Sequence, residues 1–251
     1  MKNNFNILNA LQLALFEARR KTLDTYFGWV WSVISPIMTI LIYLFVLVYI
    51  FKSPQENIVL WLVSGIAIWI YISNSLIKTS STIVNKKAII HHQYVHQKQL
   101  IFAELIAEFF VFIPILIGAF IIAAFSGSLS LNMFLIIYLF ATLIAFLFGM
   151  GLFFSTLTVF IRDIPHLLTV FLQITFWLTP IVYSKGALPP AIASLISLNP
   201  FSYFVELSQI IFLNYQITTS ALVIPFILAA LSLILGNYIH NKLKSSIAIY
   251  L

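Results

Sequence analysis

The stretch Phe153–Tyr183, FFSTLTVFIRDIPHLLTVFLQITFWLTPIVY, decides the fold. Two long apolar runs meet at one compact polar break, Arg162-Asp163-Ile164-Pro165-His166. No other Asp, Glu, Lys or Arg lies between Glu108 and Lys185. An apolar run of about 18 or more residues is long enough to cross a bilayer as a helix. A charged pair between two such runs belongs at a membrane face, where water solvates it. Pro165 suits the first turn of a new helix, because the N–H it lacks would have had no partner there. One helix is therefore expected to end near Arg162. The next is expected to run from Pro165 through Phe171, Phe176 and Trp177 to Pro180 and Tyr183, where Lys185 and Pro189-Pro190 stop it.

The rest of the chain has the same character. Hydrophobic residues make up 62% of it and charged residues 8%, with a mean hydropathy of +1.06. A soluble domain carries about 25% charged residues. The strict apolar–polar alternation of a membrane barrel is absent. The sequence therefore predicts an all-α membrane protein, residues 1–251 forming a single transmembrane domain. With no cysteine it has neither disulfides nor thiol chemistry, which fits a bacterial inner membrane. The polar start, with Lys2, Arg19, Arg20 and Lys21 ahead of the first apolar run, argues against a cleavable signal peptide.

Six transmembrane helices are expected, at 28–51, 58–77, 100–125, 133–161, 165–183 and 221–239. Residues 4–24 precede them as an amphipathic interface helix: Ile7, Leu8, Leu11, Ala14, Leu15 and Ala18 recur at helical spacing, with Asn9, Gln12, Arg19 and Arg20 elsewhere. Between the fifth and sixth spans, Pro189-Pro190 and Asn199-Pro200 cut the chain into pieces too short to cross. These read as re-entrant or interfacial helices, tolerated at depth only where protein or a water-filled cavity covers the backbone.

Orientation follows from the basic residues. With both termini cytoplasmic, all but Lys52 and Lys185 of the 13 Lys and Arg residues fall inside. A seventh span through residues 201–214 would bury Glu206 and put the C-terminal lysines outside. The net charge of +6 is thus a topogenic signal and not a nucleic-acid footprint.

No catalytic constellation stands out. None of the eight glycines belongs to G-x-x-x-x-G-K-[ST], so the chain has no P-loop of its own. His92 and His96, four apart, could share a helix face as metal ligands do, but a polar cytoplasmic helix explains them equally and no metal is assigned. Glu104 and Glu108 lie near the cytoplasmic end of the third span. Pairing with Arg162, Lys98 or a partner subunit suits them better than an ion pathway. Aromatic residues are many: 24 Phe, 11 Tyr and 5 Trp. Near span ends they form the usual interfacial belt. The alternative is a lining for a sugar path, since rings stack on the apolar faces of sugars. The candidate lining is Tyr26, Trp29 and Trp31 on the first span and Phe171, Phe176, Trp177 and Tyr183 on the fifth.

Four stretches in order carry a resemblance. They are Arg19/Arg20 followed by Tyr26-Phe27-Gly28-Trp29-Val30-Trp31 and Pro36; Phe160-Ile161-Arg162-Asp163-Ile164; Thr179-Pro180-Ile181-Val182-Tyr183 with Leu188-Pro189; and Leu198-Asn199-Pro200-Phe201 with Glu206. Together they resemble the permease subunit of type-2 ABC exporters, particularly the polysaccharide-export branch (O-antigen, capsule and teichoic-acid permeases). Phe27 replaces a leucine of the family pattern. Ser208-Gln209 stand where family members often have a basic residue.

The resemblance implies a homodimer working with two copies of a separate ABC ATPase. ATP would then be bound by that partner and no cofactor by this chain. It also implies that the N-terminal helix and the loop between spans two and three dock on the ATPase, that spans one and five line the channel, and that 185–214 form an outer gate. On that plan Ile89, Ile90, Tyr94 and Val95 supply the apolar part of the ATPase contact, with Lys86, Lys87, Arg19 and Arg20 at its rim. Arg162 and Asp163 would fix a cytoplasmic corner. The expected function is export of a lipid-linked polysaccharide across the bacterial inner membrane. Alternatives are export of a drug or other small hydrophobic molecule, or a stand-alone membrane transferase. Residues 78–99, the longest polar segment, contain no Asp or Glu, which disfavours the transferase.

Overall fold

A computed structural model describes residues 7–23, 30–50, 57–93 and 95–250. It is all-helical, with no strand among the described residues. In chain order the helices are α1 (Ile7–Leu23), α2 (Val30–Phe45, continued by the π-helical turn Val46–Ile50), α3 (Ile58–Asn85), α4 (Lys87–Gln93) and α5 (Gln97–Phe125). A 3-10 turn (Leu131–Phe134) leads into α6 (Leu135–Phe160). Then come α7 (Ile164–Trp177), a 3-10 turn (Lys185–Ala187), α8 (Pro190–Ser197), α9 (Pro200–Leu213) and α10 (Thr219–Tyr250).

Four of these units are long and apolar enough to cross a membrane: α3, α5, Leu131–Phe160 and Thr219–Ile247 of α10. The α8–α9 pair would make a fifth but bends by 99°. The elbow is built from its sequence. Asn199 caps α9 by accepting from the Phe201 N–H at 3.0 Å, and Pro200 occupies the first turn.

The described part of the first expected span, residues 30–50, is helical, and the residues flanking it lie outside the described ones. The fifth comes out shorter: α7 has 14 residues and stops at Trp177, not Tyr183. A helix of that length reaches about 21 Å, against a hydrocarbon core of about 30 Å. The early stop has a cause in Pro180. It disfavours helical geometry at Thr179 and brings no N–H of its own. Tyr183 then folds back, its hydroxyl donating at 2.8 Å to the Trp177 carbonyl that the helix end leaves open.

Other helices are longer than their apolar runs. α3 continues past Ile77 to Asn85, and α10 past Ile239 to Tyr250. Ser, Thr and Lys end a hydrophobic run without ending a helix. In α3, Thr79, Ser80 and Thr82 donate back to the carbonyls of Ser75, Ile77 and Lys78 at 2.6, 2.7 and 2.9 Å, so these hydroxyls are buried without being orphaned.

α3 is the central helix. Of its most apolar stretch 67% is buried, against 22% for α10; α5, α6, α7, α9 and α2 all pack on it. α6 and α10 form the other main contact. Gly149 and Gly236 face each other there, and a Cβ on either would overlap backbone of the other helix. Ser232 seals the crossing by donating to the Phe146 carbonyl at 2.8 Å.

α1 packs along α5 through small residues. Ala10 and Ala14 are fully buried, while Ile7, Leu8, Leu15 and Phe16 remain exposed. The expected apolar stripe therefore divides, the small side facing protein and the large side facing outward.

Candidate functional site

An aromatic cleft of about 530 Å³ opens between α2, α3 and α7. Thr169, Leu172, Gln173 and Phe176 all line it from α7. Their spacing puts them on one helix face. Phe176 is the hub: its ring lies 5.5 Å from Tyr43 of α2, 5.7 Å from Trp69 of α3 and 5.4 Å from the neighbouring Trp177. Trp69 carries the stack inward, 6.0 Å from Phe201, which is itself 5.8 Å from Phe146. Such edge-on and tilted pairs suit the ring quadrupole. The series runs from the cleft wall to the base of α9.

A smaller cavity of about 230 Å³ adjoins the cleft and shares Thr39 and Ile70 with it. Ser35, Asn74 and the buried carboxylate of Glu108 line it.

The other expected path residues divide. Phe171 and Trp177 of α7 and Trp31 of α2 are all more than half exposed, and of these only Trp177 borders the cleft. Tyr183 does not share a helix face with Phe176, because α7 has ended before it. Tyr26 and Trp29 lie outside the described residues. Tyr43 and Trp69 belong to the cleft as firmly as Phe176 does. Trp69 is a site residue that the sequence does not single out, since nothing in its own span marks the face it presents to α7.

At the N-terminal end of α3 the third and fourth motif stretches meet. Asn199 donates to Thr179 Oγ1 at 2.9 Å and to the Leu178 carbonyl at 3.2 Å. Gln209 donates to the Pro180 carbonyl at 3.1 Å, and Lys185 pairs with Glu206 at 3.3 Å. The elbow is thus latched onto the end of α7.

At the opposite end, Lys86 sits between two carboxylates. Its Nζ is 2.9 Å from Glu17 of α1 and 2.8 Å from Glu104 of α5. All three residues are buried. This corrects the expected pairing of Glu104 with Arg162, Lys98 or a partner subunit, and it takes Lys86 off the solvated rim. The helical run through α3 brings Lys86 to the very level on α5 where Glu104 needs a cation.

A model of the ABC-2 type transporter family matches residues 11–213. The chain belongs to the ABC-2 type transporter family. It is similar to two proteins named O-antigen export system permease protein RfbA, both of Klebsiella pneumoniae. One is 25% identical over 243 residues, 96% of this chain and 93% of that protein. The other is 23% identical over 220 residues, 86% of this chain and 85% of that protein. An ABC-2 chain is the membrane subunit of a transporter and does not itself carry the catalytic machinery.

Around the buried triad, this ABC-2 chain presents a mixed surface. Arg19 and Lys87 are exposed, Ile89 and Val95 are half-buried, and Ile90 packs inward against the cluster of Ile83, Ile101 and Leu152. The Arg20 side chain and Tyr94 lie outside the described residues, as does the His92 side chain. Among the described residues no group of three or more His, Asp or Glu could hold a metal ion. Arg162 and Asp163 are exposed in the α6–α7 turn. Among the described residues Arg162 reaches the Tyr250 carbonyl, at 3.5 Å, and the Asp163 side chain does not cap α7.

Glu17 is the member of the triad that sequence reasoning passed over. It is the one acid within α1, three positions beyond Ala14 on the small-residue face.

Proposed function

We propose that this chain is the membrane subunit of an ATP-driven exporter that moves a lipid-linked polysaccharide of O-antigen, capsule or teichoic-acid type across the bacterial inner membrane. The observation that carries this reading is the likeness to O-antigen export permeases along nearly the whole chain. The aromatic cleft supports it. A polymer needs a path that holds sugars weakly at many points, and ring faces do so with few directional bonds.

In this reading α2 with its π-helical turn and α7 with the residues after it are the first and fifth of six crossings. Both termini and residues 78–99 face the cytoplasm, following the distribution of basic residues. Two copies of the chain pair, and the cleft on α2 and α7 faces the shared channel. The elbow of α8 and α9 gates its outer end. With no P-loop in the sequence, ATP is hydrolysed by two copies of a partner ATPase docked against α1 and α4. The exposed large side of α1 lies in the headgroup layer.

Deleting the gene in a strain with a known surface polysaccharide tests the reading. Polymer should be lost from the surface, accumulate inside and return on complementation. Unchanged surface polymer would overturn it.

One feature favours a second cargo. An apolar cleft of about 310 Å³, lined by residues including Ile40, Leu44, Val63 and Ile122, opens between α2, α3 and α5. It suits a small hydrophobic molecule. Drug resistance lost on deletion, with surface polymer intact, would put that cargo first.

A further inference from the structure

A separate cleft of about 320 Å³ lies at the N-terminal end of α3, bounded by the turn after α7, by α9 and by the turn that follows it. We propose that it is a binding site for a single sugar unit, a subsite that the emerging polysaccharide meets at the outer face. This rests on the polysaccharide-export reading and adds a specific site to it.

The site is built before any ligand arrives. Trp61 forms one wall, its indole N–H held by the Ile181 carbonyl at 2.9 Å, so the ring cannot swing away. Gln209 lies at the base, 2% exposed, with one amide N–H fixed on Pro180. Its place depends on Gly65, where a Cβ would come within 2.9 Å of the Gln209 amide nitrogen. Tyr215 stands at the lip, 43% exposed. The left-handed turn at Asn214 places it, its own N–H bonding back to the Ile210 carbonyl. Across from it are Lys185 and Glu206. Their pair is long at 3.3 Å, and each side chain is about a third exposed. Lys185 also lies 5.8 Å over the Tyr203 ring.

This set of groups matches one class of ligand. Two rings offer stacking for the C–H faces of a pyranose. An acid, an amine and an amide offer charge-assisted and neutral hydrogen bonds to hydroxyls on its edge. The Lys185–Glu206 pair has no net charge, so a phosphate gains little there. The volume sits at the small end of ligand pockets, about 300–1,000 Å³, which fits one sugar ring and not an oligomer. Because the ion pair is loose and half-solvated, hydroxyls can replace it at small cost, and the resulting hold on the polymer is weak.

The test uses the full chain with its co-purified partner in lipid nanodiscs, which leave both faces open. Saturation-transfer NMR is recorded with maltohexaose, a linear mannohexaose and chitohexaose. At least one should receive saturation on its ring protons. Glu206→Gln and Tyr215→Ala should each weaken that binding about fivefold, the loss of one ordinary contact. Both residues stand at a solvated lip, and Lys185→Met serves as a third variant with the same expected loss. Leu235→Ala, exposed on α10 and not among the residues that line the cleft, should bind as the parent does. No transfer to any of the three sugars, or equal binding by the parent and all three variants, overturns the site. Surface polymer in the deletion strain separates this from failure of the export reading. Polymer lost on deletion with lip variants binding normally removes only the subsite; polymer unaffected by deletion removes both.

Discussion

The Lys86 ammonium lies 2.9 Å from the Glu17 carboxylate, joining the end of α3 to α1, and 2.8 Å from Glu104 on α5. With each side chain 10% exposed or less, this is a buried ionic tie between three helices. It holds the N-terminal helix at the end of the bundle where the partner ATPase is proposed to dock.

Lys86→Met should therefore detach α1. Removing one partner from a buried ion pair costs about 3–5 kcal/mol, and Lys86→Met removes the ammonium that both carboxylates share. Limited proteolysis within α1 should become fast while α3, α5 and α6 stay protected. Glu17→Gln should be milder, since Glu104 keeps its cation. Unchanged α1 protection in Lys86→Met would show that the Ala10 and Ala14 packing alone holds the helix.

The start of α5 predicts a pH dependence. His96 caps it by accepting from the Lys98 N–H at 3.2 Å through Nδ1, while Gln99 accepts from the His96 N–H. The bond needs a neutral ring. Burial, then the charges of Lys244 and Lys98, lowers the His96 pKa below its ordinary value of 6.5. A base whose folded pKa is depressed contributes stability above its unfolded pKa and loses it as pH falls through the folded one. Amide exchange at residues 97–100, corrected for intrinsic rates, should be slow at pH 7.5 and rise below about pH 6.5. His96→Ala should abolish that dependence and cost about 1 kcal/mol of local protection. A dependence that survives in His96→Ala would place the titrating group elsewhere.

The proposed orientation can be read directly, because the chain has no cysteine of its own. Ser126→Cys, after α5, and Lys185→Cys should react with an impermeant thiol reagent in intact cells. Ser245→Cys, exposed near the end of α10, should react only once the cells are opened. Labelling of Ser245→Cys in intact cells would invert the assignment.

Much of this arrangement is written locally. α3, α5, α6 and α10 follow from unbroken apolar runs. The α8–α9 elbow follows from an asparagine cap ahead of a first-turn proline. What escapes local reading is what depends on a distant partner. Lys86 lies in the most polar internal segment and looks like a surface lysine until α3 is known to continue past its apolar run. Pro180 marks the end of α7, yet Ile181, Val182 and Tyr183 prolong the hydrophobic run and mask it. Phe176 reads as a path residue from its own helix, but only the packing of α7 on α3 shows that Trp69 is the ring it faces.

Phe176 gives the sharpest test of the sugar path. It joins Tyr43 and Trp69 in one cleft, so Phe176→Ala removes the ring to which both walls are packed. If the cleft carries polymer, export of long chains should fall by about tenfold or more with protein level and partner ATPase activity kept; Trp69, 7% exposed in the core, is no substitute, since Trp69→Ala should lower protein level too. Tyr183→Ala should be milder than its place in the sequence suggests, since its hydroxyl closes a helix end. Comparison variants have to respect the packing. Phe134 is 73% exposed and suits the purpose, whereas Phe140 is 7% exposed and lies 5.1 Å from Phe109 in the core. Phe140→Ala should lower stability by about 3–5 kcal/mol and reduce protein level as well as export. Surface polymer resolved by length on gels, normalised to protein level, separates the cases. Equal losses in Phe176→Ala and Phe134→Ala would mean that the cleft rings act only in packing, and would move the small hydrophobic cargo to first place.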